Sequence, residues 1–162
     1  MTGRVTILVL VAAALIGGCA AARKECAMTP KLFRVLLPVS DIERAARFYE
    51  TVLGIDGVRV SKGRHYFTLD GTILACFDPR ADGDDHDAAP NPEHVYIAVD
   101  DIEKTFAACE SAGAKFAEGD IDGGAPAGAI ATRPWGERSF YIQDPSGNPI
   151  CFVDRATLFT GK

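Results

Sequence analysis

In LFRVLLPV, residues 32–39, apolar and polar positions alternate. Phe33, Val35 and Leu37 fall on one face and Arg34 and Leu36 on the other, a period of two that predicts a β-strand ended by Pro38. The period then changes. Ala45, Ala46, Phe48, Tyr49, Val52 and Leu53 form a helical stripe, with Ser40 or Asp41 as cap, Glu43 in the first turn and Gly54 as the stop. The same order returns later: Val95, Ile97 and Val99 share a strand face, Asp100 or Asp101 caps, and Ile102, Phe106 and Cys109 line a helix. The copies keep register, since Arg34 and His94 each stand seven residues before an Asp-Ile-Glu helix start. A hairpin-like strand pair follows each copy, YFTLDGTILACFDP from Tyr66 and SFYIQDPSGNPICFVD from Ser139, with turns at Asp70-Gly71 and at 144–149. Each half therefore reads as strand, helix, then two or three strands. The sixty-residue spacing is too long for most solenoids and too short for two independent domains, so the halves share one fold with its site between them.

The 162 residues, 48% of them apolar, suit one compact domain. A net charge of −5 and no basic patch argue against a nucleic-acid partner. The N-terminus differs in kind. Arg4, the apolar run VTILVLVAAALIGG and then Cys19 read as a lipoprotein-type signal peptide over 1–19, with Cys19 lipidated and 20–30 as a tether. The expectation is a bacterial lipoprotein anchored to a membrane outside the cytoplasm; the alternative is a cytoplasmic protein starting at Met28. The fold is expected over 31–155, with module one at 31–79, a linker at 80–92, module two at 93–155 and a tail at 156–162.

VSDIERAARFYETVLG and above all PWGERSFYIQDPSGNPICFVD resemble the vicinal oxygen chelate superfamily, which includes glyoxalases, bleomycin-resistance proteins and dioxygenases. The resemblance implies an α+β fold of two tandem βαβββ modules, whose curved mixed sheet encloses an inner cup, and a homodimer, as in many relatives. In metal-dependent members, the first and last strand of each module supply the ligands. By register these positions are Arg34, Cys76, His94 and Cys151, with ILACFD aligned to PICFVD. Of the usual histidine, glutamine and glutamate ligands, only His94 matches. Arg34 stays protonated and has only donors, so it cannot ligate.

Three readings stay open. One is a metal-free cup in which Arg34 and His94 meet an anionic or carbonyl-bearing small organic molecule between walls of Tyr66, Tyr141 and Trp135. A second is a zinc-type site of Cys76, Cys151 and His94, with His94 also the candidate catalytic base. In the third, the two cysteines are small buried hydrophobes. No cofactor is expected, and zinc is the weaker alternative. By function the classes are a small-molecule binder, a glyoxalase-like lyase or dioxygenase with an atypical centre, and a scaffold with a filled cup. After export, Cys76 and Cys151 could form a disulfide. His65 reads as a surface histidine, and 118–134 as a flexible segment able to cover the cup.

Overall fold

The computed structural model describes residues 30–121 and 124–161. The signal, tether and Cys19 therefore lie outside the described residues. Module one runs β1 (Arg34–Pro38), α1 (Ile42–Leu53), β2 (Val58–Ser61), β3 (Arg64–Leu69) and β4 (Thr72–Phe77). After the short helix α2 (Pro79–Asp82), module two runs β5 (Val95–Val99), α3 (Ile102–Ser111) and β6 (Lys115–Phe116), and ends with β10 (Arg138–Gln143) and β11 (Pro149–Asp154). Three two-residue strands, β7 (Asp120–Ile121), β8 (Ala125–Pro126) and β9 (Ala131–Thr132), are inserted between β6 and β10. Both modules are βαβββ, and the protein is an α+β fold with mixed sheets.

Local chemistry sets the boundaries. Asp41 and Asp101 cap α1 and α3 by accepting from the backbone N–H of Arg44 and Lys104, each at 2.9 Å. Gly54 ends α1 at φ 65, in the left-handed region. The β3–β4 turn needs positive φ at both central residues, and Asp70 (43) and Gly71 (80) supply it.

The module strands divide between two sheets, ordered β1-β4-β3-β2 and β5-β11-β10-β6, while β9 pairs with β10 and β7 with β8 in a small sheet of their own. In each, the first strand pairs in parallel with the last. One apolar core joins the modules: Val35, Leu37, Leu74 and Phe67 from the first sheet, Ile97, Phe140, Ile150 and Phe152 from the second, and Tyr49, Val52, Ile102 and Cys109 from the helices. Phe33, expected on this face, is instead exposed, because it precedes the first paired residue of β1.

The modules are also joined by polar groups. Asp144, in the β10–β11 turn, accepts from Tyr49 Oη at 2.9 Å, from the backbone N–H of Ser146 and Asn148, and from Asn148 Nδ2. Asn148 Nδ2 also donates to the Pro38 carbonyl at 2.8 Å, and its Oδ1 accepts from Asn91 N–H at 2.9 Å. Asn91 Nδ2 reaches the Leu36 carbonyl at 3.0 Å. Asp144 and Asn148 are both buried, so these bonds offset their desolvation. Burial, reinforced by the Asp144 charge, pushes the Tyr49 phenol well above its ordinary value, and Tyr49 therefore stays a donor. The expected linker is thus anchored at Asn91 rather than free along its length.

Candidate functional site

Backbone register decides which side chains share a face. In module one, Val35 opposes Leu74 and Leu37 opposes Cys76; in module two, Val95 opposes Ile150 and Ile97 opposes Phe152. With Val35 matched to Val95, Cys151 corresponds to Ala75, not to Cys76. The shared Cys-Phe dipeptide misaligns the repeats by one residue, and one residue reverses the face of a strand. Cys76 consequently lies in the core beneath the helices, fully buried, with its thiol pushed up to about 12 by burial. The four positions facing away from the core are Arg34, Ala75, His94 and Cys151.

On module one, this face carries Arg34, Leu36, Tyr66, Ile73 and Ala75. Tyr66 stands opposite Ala75 across β3 and β4. The Arg34 guanidinium lies 4.7 Å from the Tyr66 ring centroid and 5.1 Å from that of Phe33. Its Nε is buried without an acceptor, and no carboxylate pairs with Arg34 among the described residues. The apolar neighbours Leu36, Val58 and Val60 are exposed.

Module two is built differently. The His94 ring is 5.0 Å from that of Tyr141 and 6.3 Å from that of Tyr96. Tyr141 and Tyr96 flank Cys151 on the adjacent strands. Ala127 and Ala117, from the inserted segment, pack over Cys151, Tyr141 and Val153. That segment is held down by Arg133, which is 1% exposed and donates to Ser139 Oγ and to the carbonyls of Ala125, Pro126, Ala127, Ala129 and Ser139. Its guanidinium also sits 5.2 Å from the Tyr141 centroid. Burial pushes the Cys151 thiol up to about 11, so at neutral pH it is not a thiolate nucleophile. The segment expected to be flexible is therefore an ordered cover, apart from 122–123, which lie outside the described residues.

Trp135 lines a separate cavity of about 650 Å³ with Tyr96, Ala98, Glu137, Val153, Leu158 and Phe159. Arg34 and Tyr66 form one cluster; His94, Tyr96, Tyr141 and Cys151 form another. Among the described residues no hydrogen bond, ion pair or ring contact joins the two. Cys76, Cys109 and Cys151 are free, so the considered disulfide is not formed. The Cys76, Cys151 and His94 set is not assembled either, since Cys76 faces the core. Arg34 and Ala75 cannot ligate, and the four outward positions hold no carboxylate. The donor set therefore does not fit the family's usual divalent metal. His65 is not on the surface but buried against Phe67, with neither ring nitrogen hydrogen-bonded and Nε2 3.6 Å from Glu50 Oε1.

Three functional or structural residues escaped the sequence reading: Arg133, Glu137 and Asn148. A lone cation amid Gly and Ala in 118–134 was a signal for the first; Asn148 read only as part of a turn.

Paired βαβββ modules define a fold rather than a reaction. The chain belongs to the Glyoxalase/Bleomycin resistance protein/Dioxygenase superfamily, whose sequence profile matches residues 31–152. It is 28% identical over 144 residues to the lactoylglutathione lyase of Haemophilus influenzae, covering 81% of this chain and 97% of that protein. Among solved structures, a glyoxalase/bleomycin resistance protein from Albidiferax ferrireducens is similar at 24% identity and a TM-score of 0.59, over 76% of this chain and 97% of that one. Lactoylglutathione lyase from Agrobacterium tumefaciens is similar at 20% identity and a TM-score of 0.56, over 79% and 96%. At these identities the structural likeness speaks for the fold alone.

Proposed function

We propose that this protein binds a small organic molecule carrying an anionic or carbonyl group, without the family's usual metal. One observation carries the reading: a guanidinium stacked on Tyr66, with a buried Nε that has no acceptor and with no paired acid among the described residues. A buried donor left unsatisfied costs roughly 1–3 kcal/mol, which an oxyanion or carbonyl of a ligand would offset. The proposal extends to assembly. Leu36, Val58 and Val60 are large apolar side chains left exposed beside the Arg34–Tyr66 cluster, and a homodimer is an assembly that would cover them.

The lyase reading has one support, the Haemophilus influenzae relative matched along nearly its whole length. The outward positions weigh against it, because His94 has no carboxylate beside it to complete a metal site. The test is a calorimetric screen of small carboxylates, phosphonates and dicarbonyls against the full chain and Arg34→Ala. Binding that weakens about tenfold or more in the variant is expected, equivalent to ~1.4 kcal/mol. Binding that is indifferent to Arg34 would remove the reading.

A further inference from the structure

The geometry points to a second subsite, for an organic ammonium ion, in the cavity that Trp135, Tyr96 and Phe159 line around the Glu137 carboxylate. The subsite goes beyond the small-molecule reading above, since it lies apart from Arg34 and would take a cation of its own.

The cavity is assembled by that carboxylate. Glu137 Oε2 accepts from Trp135 Nε1 at 2.7 Å, and Oε1 accepts from the backbone N–H of Phe159 at 3.0 Å. One acid thus fixes the indole and draws the C-terminal segment back over β11, where Leu158 and Phe159 become walls. The 3₁₀ turn Arg155–Thr157 supports the return, with Asp154 capping Ala156 N–H and Thr157 Oγ1 accepting from Arg138 N–H. The 156–162 tail is therefore, through Phe159, part of a site rather than an appendage.

Charge and surface then select the occupant. Both hydrogen bonds to Glu137 come from neutral donors, and no cation pairs with it among the described residues. The adjacent Arg138 is already engaged by Glu103 and Asp154. A carboxylate has about four acceptor sites, so two stay open to an ammonium or its hydration shell. The negative charge also reaches inward, as Glu137 is one of the groups that raise the Cys151 thiol. Three aromatic residues with a net negative charge attract a cation through ring faces and through Coulomb attraction. A neutral apolar guest gains only the first kind of surface. Tyr96 is 58% exposed, so the cavity opens to solvent. The chain's net charge of −5 favours cation approach as well.

Trp135 is the single tryptophan and reports directly from the wall. The experiment titrates the full chain with benzyltrimethylammonium chloride, following Trp135 emission and calorimetric heat, with 3,3-dimethylbutan-1-ol and sodium benzoate as neutral and anionic controls. Saturable binding of the ammonium salt is expected, with no saturation by the alcohol. Glu137→Gln should weaken it about tenfold and Tyr96→Ala about threefold to tenfold, with unfolding midpoints recorded for both variants. Tyr96 is exposed on an edge strand, so its variant keeps the test decisive if Glu137→Gln fails to fold. The subsite is overturned if the ammonium salt does not saturate, if the alcohol binds equally well, or if neither variant weakens binding. An ammonium salt that does not saturate, beside an anion that binds through Arg34, would sink the subsite and leave the parent reading standing. Arg34-independent binding of every anion would sink that reading and leave the ammonium result to stand by itself.

Discussion

The two modules share a backbone and differ in how each treats an arginine. Arg133 in module two is wholly buried and spends its donors on one hydroxyl and five carbonyls, closing the inserted segment over Cys151 and Tyr141. Arg34 in module one has no such partners among the described residues and lies against Tyr66. The first is a structural cation; the second is available to something outside the chain. Duplication preserved strand order and helix caps in both halves, yet one half became a covered wall and the other an open face bearing an unpartnered donor. The fold therefore does not dictate the chemistry, which depends on what stands at four outward positions.

The largest expected effect comes from disconnecting the halves. Asn148→Ala removes bonds to Pro38, Asn91 and Asp144 and leaves the half-buried Pro38 carbonyl and Asn91 N–H without this partner, which should cost roughly 2–4 kcal/mol in urea unfolding. A loss below about 1 kcal/mol would mean that the apolar core alone unites the modules. Next is the contrast between the arginines. Arg133→Met should cost about 2 kcal/mol, leave carbonyls orphaned and speed thiol labelling of Cys151, whereas Arg34→Met, which removes an unsatisfied buried donor, should leave stability unchanged or raise it. Equal losses at both would dissolve the distinction between a structural and an available guanidinium.

A smaller effect concerns pH and module one alone. Burial, then the nearby Arg59 charge, holds the His65 imidazole below its ordinary range, against the pull of Glu50 and Glu43. Gly57 passes so close that a Cβ there would stand 2.0 Å from Nε2, leaving little space for hydration. The folded chain thus binds a proton less readily than the unfolded chain, which takes it up near pH 6.5. Stability should be flat above that value and decline as pH falls through it toward the lower folded value. His65→Leu should remove this component of the decline, as read from urea midpoints at pH 7.5 and 5.5. An unchanged slope would mean that other groups govern it.

Much of this was legible in the sequence, and the failures have physical causes. Alternation around Val35 and Val95 and the Asp70-Gly71 turn encode local geometry and are present in the structure, and of the paired cap candidates the structure selects Asp41 and Asp101. Cys76 was misplaced because register is a property of strand pairing, and a repeated Cys-Phe dipeptide outweighed the true match of Leu74 with Ile150. The inserted segment has no hydrophobic period, because its order comes from one arginine gathering its carbonyls. His65 follows Gly63 and Arg64 and precedes Tyr66, a context that says nothing of its burial. Asn148 and Glu137 matter through partners far along the chain or through backbone N–H groups, which no residue spacing reveals.

Arg34, Ala75, His94 and Cys151, the four positions turned away from the core, form a donor set that does not suit the family's usual metal. The most direct measurement is the metal content of the purified full chain, exchanged into each of zinc, nickel, manganese and ferrous iron and then desalted, compared with His94→Ala. Retention well below one ion per chain, unchanged by the substitution, is the expected result. One tightly held ion per chain that disappears in His94→Ala would contradict it.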